Sequence, residues 1–268
     1  MDLKQLLREK TLYLFDMDGT IYCGDQLFPH TKELLALLKA TGRKYMYMTN
    51  NSSKSVKDYM KKLAAMGIEA FPEEFITAAQ ATIHYMKAHY GSLSLYICGT
   101  ESIRREFQEN GLSVTTDPAK AQAVVVCLDS ELTYEKVKNC CMLLSLHEDM
   151  PYIASHPDKI CPAEFGFIPD CGAICDMIFA CTGRQPDVIV GKPSPLMPEL
   201  AMKWTGCTPE KTIVVGDRIG TDMLSGMNAG TSTALVLTGD DDVSSYEQAR
   251  RKPDLLLKDL SEILEALR

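Results

Sequence analysis

The chain has 268 residues, 46% of them hydrophobic and 24% charged, with a formal net charge of -8 at pH 7. Such a length buries a sizeable core in one large or two smaller domains, and the composition is that of a folded soluble protein. The acidic surplus, with no basic cluster, excludes a nucleic-acid partner held through its phosphates.

Met1 to Lys10 carries charge throughout and holds no uninterrupted apolar segment, so it does not resemble a signal peptide. The apolar run over 11–16 reads as a buried strand, with Asp16-Met17-Asp18-Gly19-Thr20 at its C-terminal end. In a doubly wound sheet, that edge is where ligands bind. Side chains two apart on an extended segment point the same way, so Asp16 and Asp18 can face one site. An amphipathic segment over 31–39 precedes a second strand at 44–49, which runs into Thr49-Asn50-Asn51-Ser52. After the amphipathic segment 56–66, Thr77-Ala78-Ala79-Gln80 matches a capping box and opens a helix to about Tyr90.

Strands follow at 93–98, 123–128 and 151–154. The apolar run Ala123 to Leu128 is far too short to cross a bilayer, and no membrane partner is expected. Asp117-Pro118 and, later, Thr208-Pro209 each set a capping residue before a proline at the first helical position. Cys140-Cys141 fall on one predicted helix, and Cys171, Cys175 and Cys181 fit another. The stretch from His156 through Asp158, Cys161, Pro169 and Asp170 to Gly172 reads as a loop. Strands at 187–190, 211–216 and 231–237 complete the pattern, and Ser244-Ser245-Tyr246-Glu247 matches a second capping box. The ten cysteines include no C-x-x-C pair and no histidine at zinc-ligand spacing, so they read as free thiols in a reducing cytoplasm.

This alternation indicates an α/β protein, a Rossmann-like core with mainly parallel sheets. From Thr49 to Lys192 the chain runs 143 residues, too long for one crossover connection. A smaller α/β domain is therefore inserted, with the core over 1–77 and 185–268 and the insertion over 78–184.

Four polar clusters follow four strands: Asp16 to Thr20, Thr49 to Ser52, Gly191-Lys192-Pro193-Ser194, and Gly216-Asp217-Arg218-Ile219-Gly220-Thr221-Asp222. If the strands are parallel neighbours, all four clusters meet at one edge of one sheet. Each cluster alone could be a turn, a helix cap or a surface charge. Together, a carboxylate nucleophile, a second carboxylate, a lysine, a hydroxyl with amides and further acids suit phosphoryl transfer through an aspartyl-phosphate. Mg²⁺ takes oxygen ligands and keeps several waters, which such carboxylates can supply. Other phosphate motifs fail. Gly191-Lys192 is followed by proline and has no glycine at the spacing a Walker loop needs, and no G-x-G-x-x-G follows the first strand.

In order and spacing, the clusters resemble the signature motifs of the haloacid-dehalogenase-like (HAD) phosphohydrolases. Asp16 to Tyr22, Gly191 to Ser194, Gly216 to Asp222 and Gly226-Met227-Asn228-Ala229-Gly230 resemble more narrowly the NagD-like, 4-nitrophenylphosphatase subfamily with its α/β cap. The resemblance implies Asp16 as nucleophile and Mg²⁺ ligand, and Asp18 as general acid and base whose main-chain carbonyl also binds the metal. It implies that Thr49, Asn50 and Lys192 hold the phosphoryl group, that Asp217 binds Mg²⁺, and that Asp222 orients its waters or neighbours. The insertion is then the cap that selects a small phosphomonoester, with Asp158, Cys161 and Asp170 facing the substrate. In that segment His156 stands where Asn is common, and Cys171 where Ala is common. Relatives of this kind often dimerise through the cap, so a homodimer is an expectation of the resemblance. A metal-free dehalogenase would lack Asp18 and Asp217, and a phosphate-binding or signalling module without turnover would need neither Asp18 nor the insertion.

Overall fold

Leu12, Tyr13, Leu14 and Phe15 have no exposed surface, as expected for a parallel strand covered on both faces. The computed structural model describes residues 3–163 and 165–268. In it, Leu12–Phe15 pairs in parallel with Thr212–Gly216 on one side and Lys44–Thr49 on the other. The sheet has six strands in the order Leu255–Leu257, Ser232–Val236, Thr212–Gly216, Leu12–Phe15, Lys44–Thr49 and Phe75–Thr77. It belongs to a unit formed by the chain up to Thr49, Asp58–Ile76 and Lys192–Arg268.

A second unit comprises Asn50–Lys57 and Thr77–Gly191. Its sheet has five strands in the order Val188–Ile189, Tyr152–Ala154, Ala123–Val126, Ser94–Cys98 and Ser113–Thr115, all paired in parallel. Tyr96, Val124, Val126, Cys140, Leu144, Tyr152, Ile174 and Ile178 share one of its core clusters. The protein is thus α/β with mainly parallel sheets, as the sequence pattern indicates. All ten cysteines are free thiols. Among the described residues, no helix is long and apolar enough to cross a membrane.

Several local expectations change. Val188–Ile189 pairs with Tyr152–Ala154 in the second unit's sheet, so the cluster at Lys192 does not follow a strand of the first sheet. Val190 and Gly191 continue the same ladder, their N–H groups donating to Ala154 and Ser155 carbonyls at 3.1 and 2.7 Å. The expected loop over 156–172 contains an antiparallel hairpin, Ile160–Ala163 with Gly166–Pro169. The helix Val243–Gln248 is capped by Asp242, which accepts from Ser245 N–H at 2.8 Å, so Ser244 is not its cap. Proline does follow the caps Asp117 and Thr208, but each opens a single 3-10 turn. Thr77 forms the expected capping box with Gln80 and starts the helix Ala78–His89.

Candidate active site

The parallel register sets Phe15 beside both Val215 and Tyr47, so the C-terminal ends of three strands are level. Asp16 extends the central ladder by donating its N–H to Val215 O at 2.8 Å. Its carboxylate accepts from the Lys192 ammonium, Nζ to Oδ1 2.5 Å. The same ammonium donates to Asp222 Oδ1 at 2.5 Å and to the Met48 carbonyl at 3.2 Å. Met48 lies on the strand next to Asp16, so Lys192 is fixed by backbone as well as by charge. Asp217 follows the end of the other neighbouring strand. It accepts from Thr20 Oγ1 at 3.2 Å and from the Asp240 N–H at 2.9 Å. Asp16, Asp217, Asp222, Lys192 and Thr20 are all buried.

Ligand atoms of Asp16, Asp217 and Asp222 lie within 4.8 Å of one another. Three buried carboxylates against one ammonium leave two negative charges unmatched among these four groups. Burial pushes Asp16 well above the usual carboxylate range; Lys192 pulls it down, while Asp222 and Asp217 push it further up. Burial, then Asp222, raises Asp217 to about 6. Burial opposes the charge on Lys192, but Asp16 and Asp222 outweigh it and hold its pKa above the usual lysine value. An all-oxygen donor set with surplus negative charge suits a hard divalent cation such as Mg²⁺.

Glycines make this crowding possible. At Gly19, φ is +88°, and an added Cβ would lie 2.4 Å from Asp217 Oδ2. At Gly216 an added Cβ would fall 2.5 Å from Asp222 Cβ, which cannot swing away as a flexible side-chain tip could. Gly216→Ala is therefore expected to displace Asp222 from Lys192, costing about 1–3 kcal/mol of stability and most of the catalytic rate. Urea denaturation and steady-state kinetics check this, and a variant matching wild type in both would refute it.

Asp16 and Asp18 do not take the same partners. The strand ends at Phe15, residues 17–20 turn, and the alternation that would align the two carboxylates does not continue. Asp18 accepts from the Tyr22 hydroxyl at 3.1 Å and lies 3.7 Å from Lys62, with its side chain 58% exposed. Lys62 sits over the Tyr22 ring, 3.8 Å from its centroid. Lys62 and the Met48 carbonyl carry no local signal in the sequence, whereas Thr20 and Tyr22 stand in the first motif itself.

Thr49 ends its strand buried, and Asn50 begins the second unit. Within that unit Asn50 Nδ2 donates to Asp158 Oδ2 at 3.0 Å. Asp158 and Asp170 both lie beside His156, and Asp170 caps the helix Cys171–Thr182 by accepting from Cys171 N–H at 2.6 Å. Cys161 lies on the hairpin, partly exposed.

The profile of the haloacid dehalogenase-like hydrolases matches residues 13–113, and a HAD-hydrolase-like profile matches 189–263. The chain is 34% identical over 264 residues to an acid sugar phosphatase of Staphylococcus aureus, covering 97% of this chain and 99% of that protein. It is 37% identical over 227 residues to a 5'-nucleotidase of Bacillus subtilis, covering 85% and 87%. The crystal structure of a 4-nitrophenylphosphatase from Thermotoga maritima superposes with a TM-score of 0.93 at 37% identity, covering 98% of this chain and 99% of that one.

Proposed function

Since the chain belongs to the haloacid-dehalogenase-like hydrolases, in their NagD-like, 4-nitrophenylphosphatase group, we propose that this phosphoric monoester hydrolase acts on small-molecule esters through a phosphoryl group carried on Asp16. The observation that carries the reading is the buried Lys192 ammonium bridging Asp16 and Asp222 at 2.5 Å each.

In the first half-reaction an Asp16 carboxylate oxygen bonds to phosphorus and the P–O bond to the leaving group breaks. Asp18 gives its proton to the departing oxygen. In the second half-reaction, water attacks phosphorus, Asp18 takes the water's proton, and Asp16 leaves as carboxylate beside inorganic phosphate. Lys192 holds Asp16 in place and compensates charge on it and on the phosphoryl group. The Thr49 hydroxyl and the amides after it bind phosphoryl oxygens, with Asn50 beside them. Mg²⁺ would be held by Asp16, Asp217 and the Asp18 carbonyl, and when bound it supplies charge compensation that lets an anionic carboxylate approach an anionic ester. Asp222 acts as an orienting group, with one oxygen on Lys192 and the other accepting from Arg218 N–H at 3.1 Å.

The inserted unit serves as an α/β cap that selects the leaving group, with Cys161 and the hairpin that carries it proposed to face the substrate. The names of the relatives favour sugar phosphates and 5'-nucleotides as first candidates. The free thiols suit a reducing cytoplasm.

The test is a panel of sugar phosphates, 5'-nucleotides and 4-nitrophenyl phosphate, assayed with Mg²⁺ and again after chelation. Turnover should fall to background on chelation and return with added Mg²⁺. Turnover that survives chelation would remove the metal from the reading, and inertness toward every ester would overturn it.

A further inference from the structure

His156 is fully buried, and neither ring nitrogen has a hydrogen-bond partner among the described residues. A carboxylate nevertheless stands at each nitrogen. Asp158 Oδ2 is 3.5 Å from Nδ1 and Asp170 Oδ1 is 3.4 Å from Nε2, the two acids being 10% and 6% exposed. Ligand atoms of the three residues lie within 4.8 Å of one another, close enough for a metal ion; a carboxylate at each nitrogen is also the arrangement of a doubly paired imidazolium. A buried charge of this kind persists only where it is paired.

The cluster touches two points where the chain changes unit. Asp158 accepts from Asn50 Nδ2 at 3.0 Å. A Cβ added to Gly191 would lie 2.7 Å from His156 Cβ and 2.6 Å from Asn50 Oδ1, so the three residues pack without room to spare. One peptide bond joins Asn50 to Thr49, and another joins Gly191 to Lys192.

We propose that His156 is a positioning residue, whose imidazolium between Asp158 and Asp170 fixes Asn50 and Gly191 and thereby the adjoining Thr49 and Lys192. This rests on the phosphatase reading above. It also gives Asp158 and Asp170 work inside the second unit. Burial alone would lower the imidazole pKa from 6.5, but Cys171, Asp158 and Asp170, the titratable groups facing it, outweigh burial and raise it to about 9. Burial keeps the Cys171 thiol itself well above its usual range, so near neutral pH the facing charge belongs to the carboxylates. Asn50 and Gly191 bring no titratable side chain. A pKa raised on folding makes the clamp's contribution complete below the unfolded value and lost as pH rises through about 9.

The experiment measures kcat/KM against pH for wild type, Asp170→Asn and His156→Gln, alongside NMR titration of the His156 imidazole in the full chain. Asn at 170 keeps an acceptor for the helix cap while removing the charge. Wild type should lose activity above about pH 9. Asp170→Asn should move that limb and the imidazole titration to lower pH, and reduce kcat/KM at pH 7 by up to about a hundredfold, the cost of a small misplacement of the reacting groups. His156→Gln should abolish the limb. Should that variant not fold, Asp170→Asn and the NMR titration decide. A purely structural role would lower the melting temperature and leave the limb in place, which would overturn the proposal. So would stoichiometric Zn²⁺ binding lost in His156→Gln, since the cluster would then be a metal site. An imidazole that behaves as expected in a protein inert toward every ester would overturn the phosphatase reading alone.

Discussion

Asp16→Asn should reduce phosphomonoester turnover by about 10⁴-fold or more while the protein stays folded. The amide keeps the shape of the side chain but has no anionic oxygen with which to attack phosphorus. Stability should change little, for two effects oppose each other. The ion pair with Lys192 is lost, yet so is one of three carboxylates crowded into a buried site, and burial already disfavours the charge on Asp16. The decisive measurement is covalent labelling. Acid-quenched wild type mixed with ³²P-labelled ester should carry phosphoryl label on the chain, and the variant none, with closely similar urea midpoints. Label or turnover in Asp16→Asn within tenfold of wild type would remove Asp16 from the nucleophile's place.

Lys192→Met should damage both folding and catalysis. The thioether fills much of the same volume but leaves Asp16 and Asp222 buried without the cation that bridges them, and beside Asp217. Removing one partner of a buried charge cluster costs about 3–5 kcal/mol. Because a cation bound only by the folded state stabilises it by mass action, Mg²⁺ at about a hundred times its dissociation constant should restore roughly 2.7 kcal/mol. The rate should still fall by about 10²–10³-fold, as when a single preorganised donor is removed. Urea denaturation with and without Mg²⁺ separates the two losses. A variant as stable as wild type in chelator would show that the carboxylates do not carry the charge assigned to them.

The central strands and the acids at their ends were legible because a parallel strand buried on both faces is written as an unbroken apolar run. Leu12–Phe15 and Thr212–Gly216 are of that kind, and Asp16 and Asp217 follow directly. The sheet to which Val188–Ile189 belongs was not legible, for two apolar residues look alike whichever neighbour they join. The separate partners of Asp16 and Asp18 follow from the end of the strand at Phe15 and the bend at Met17 between them, which no residue type announces. The hairpin over 160–169 was hidden by Pro162 and Pro169 and by a burial pattern with no fully buried position. His156 and Asp170 stand fourteen positions apart and meet only in the folded chain, so no local spacing announces them.

The eight residues Asn50–Lys57 lie in sequence between parts of the first unit but pack in the second. Ser52 Oγ accepts from Leu128 N–H and shares a hydrogen with Ser155 Oγ, Thr100 Oγ1 donates to Ser53 O, and Glu106 accepts from Val56 N–H. A gene recombined between relatives at breakpoints near 77 and 191 would graft a foreign insertion onto a native arm, leaving these contacts mismatched. Under the proposed cap role, a change of specificity by exchange of the insertion therefore has to bring this short upstream arm with it, the two stretches forming one packed module although 19 residues of the other unit separate them in sequence.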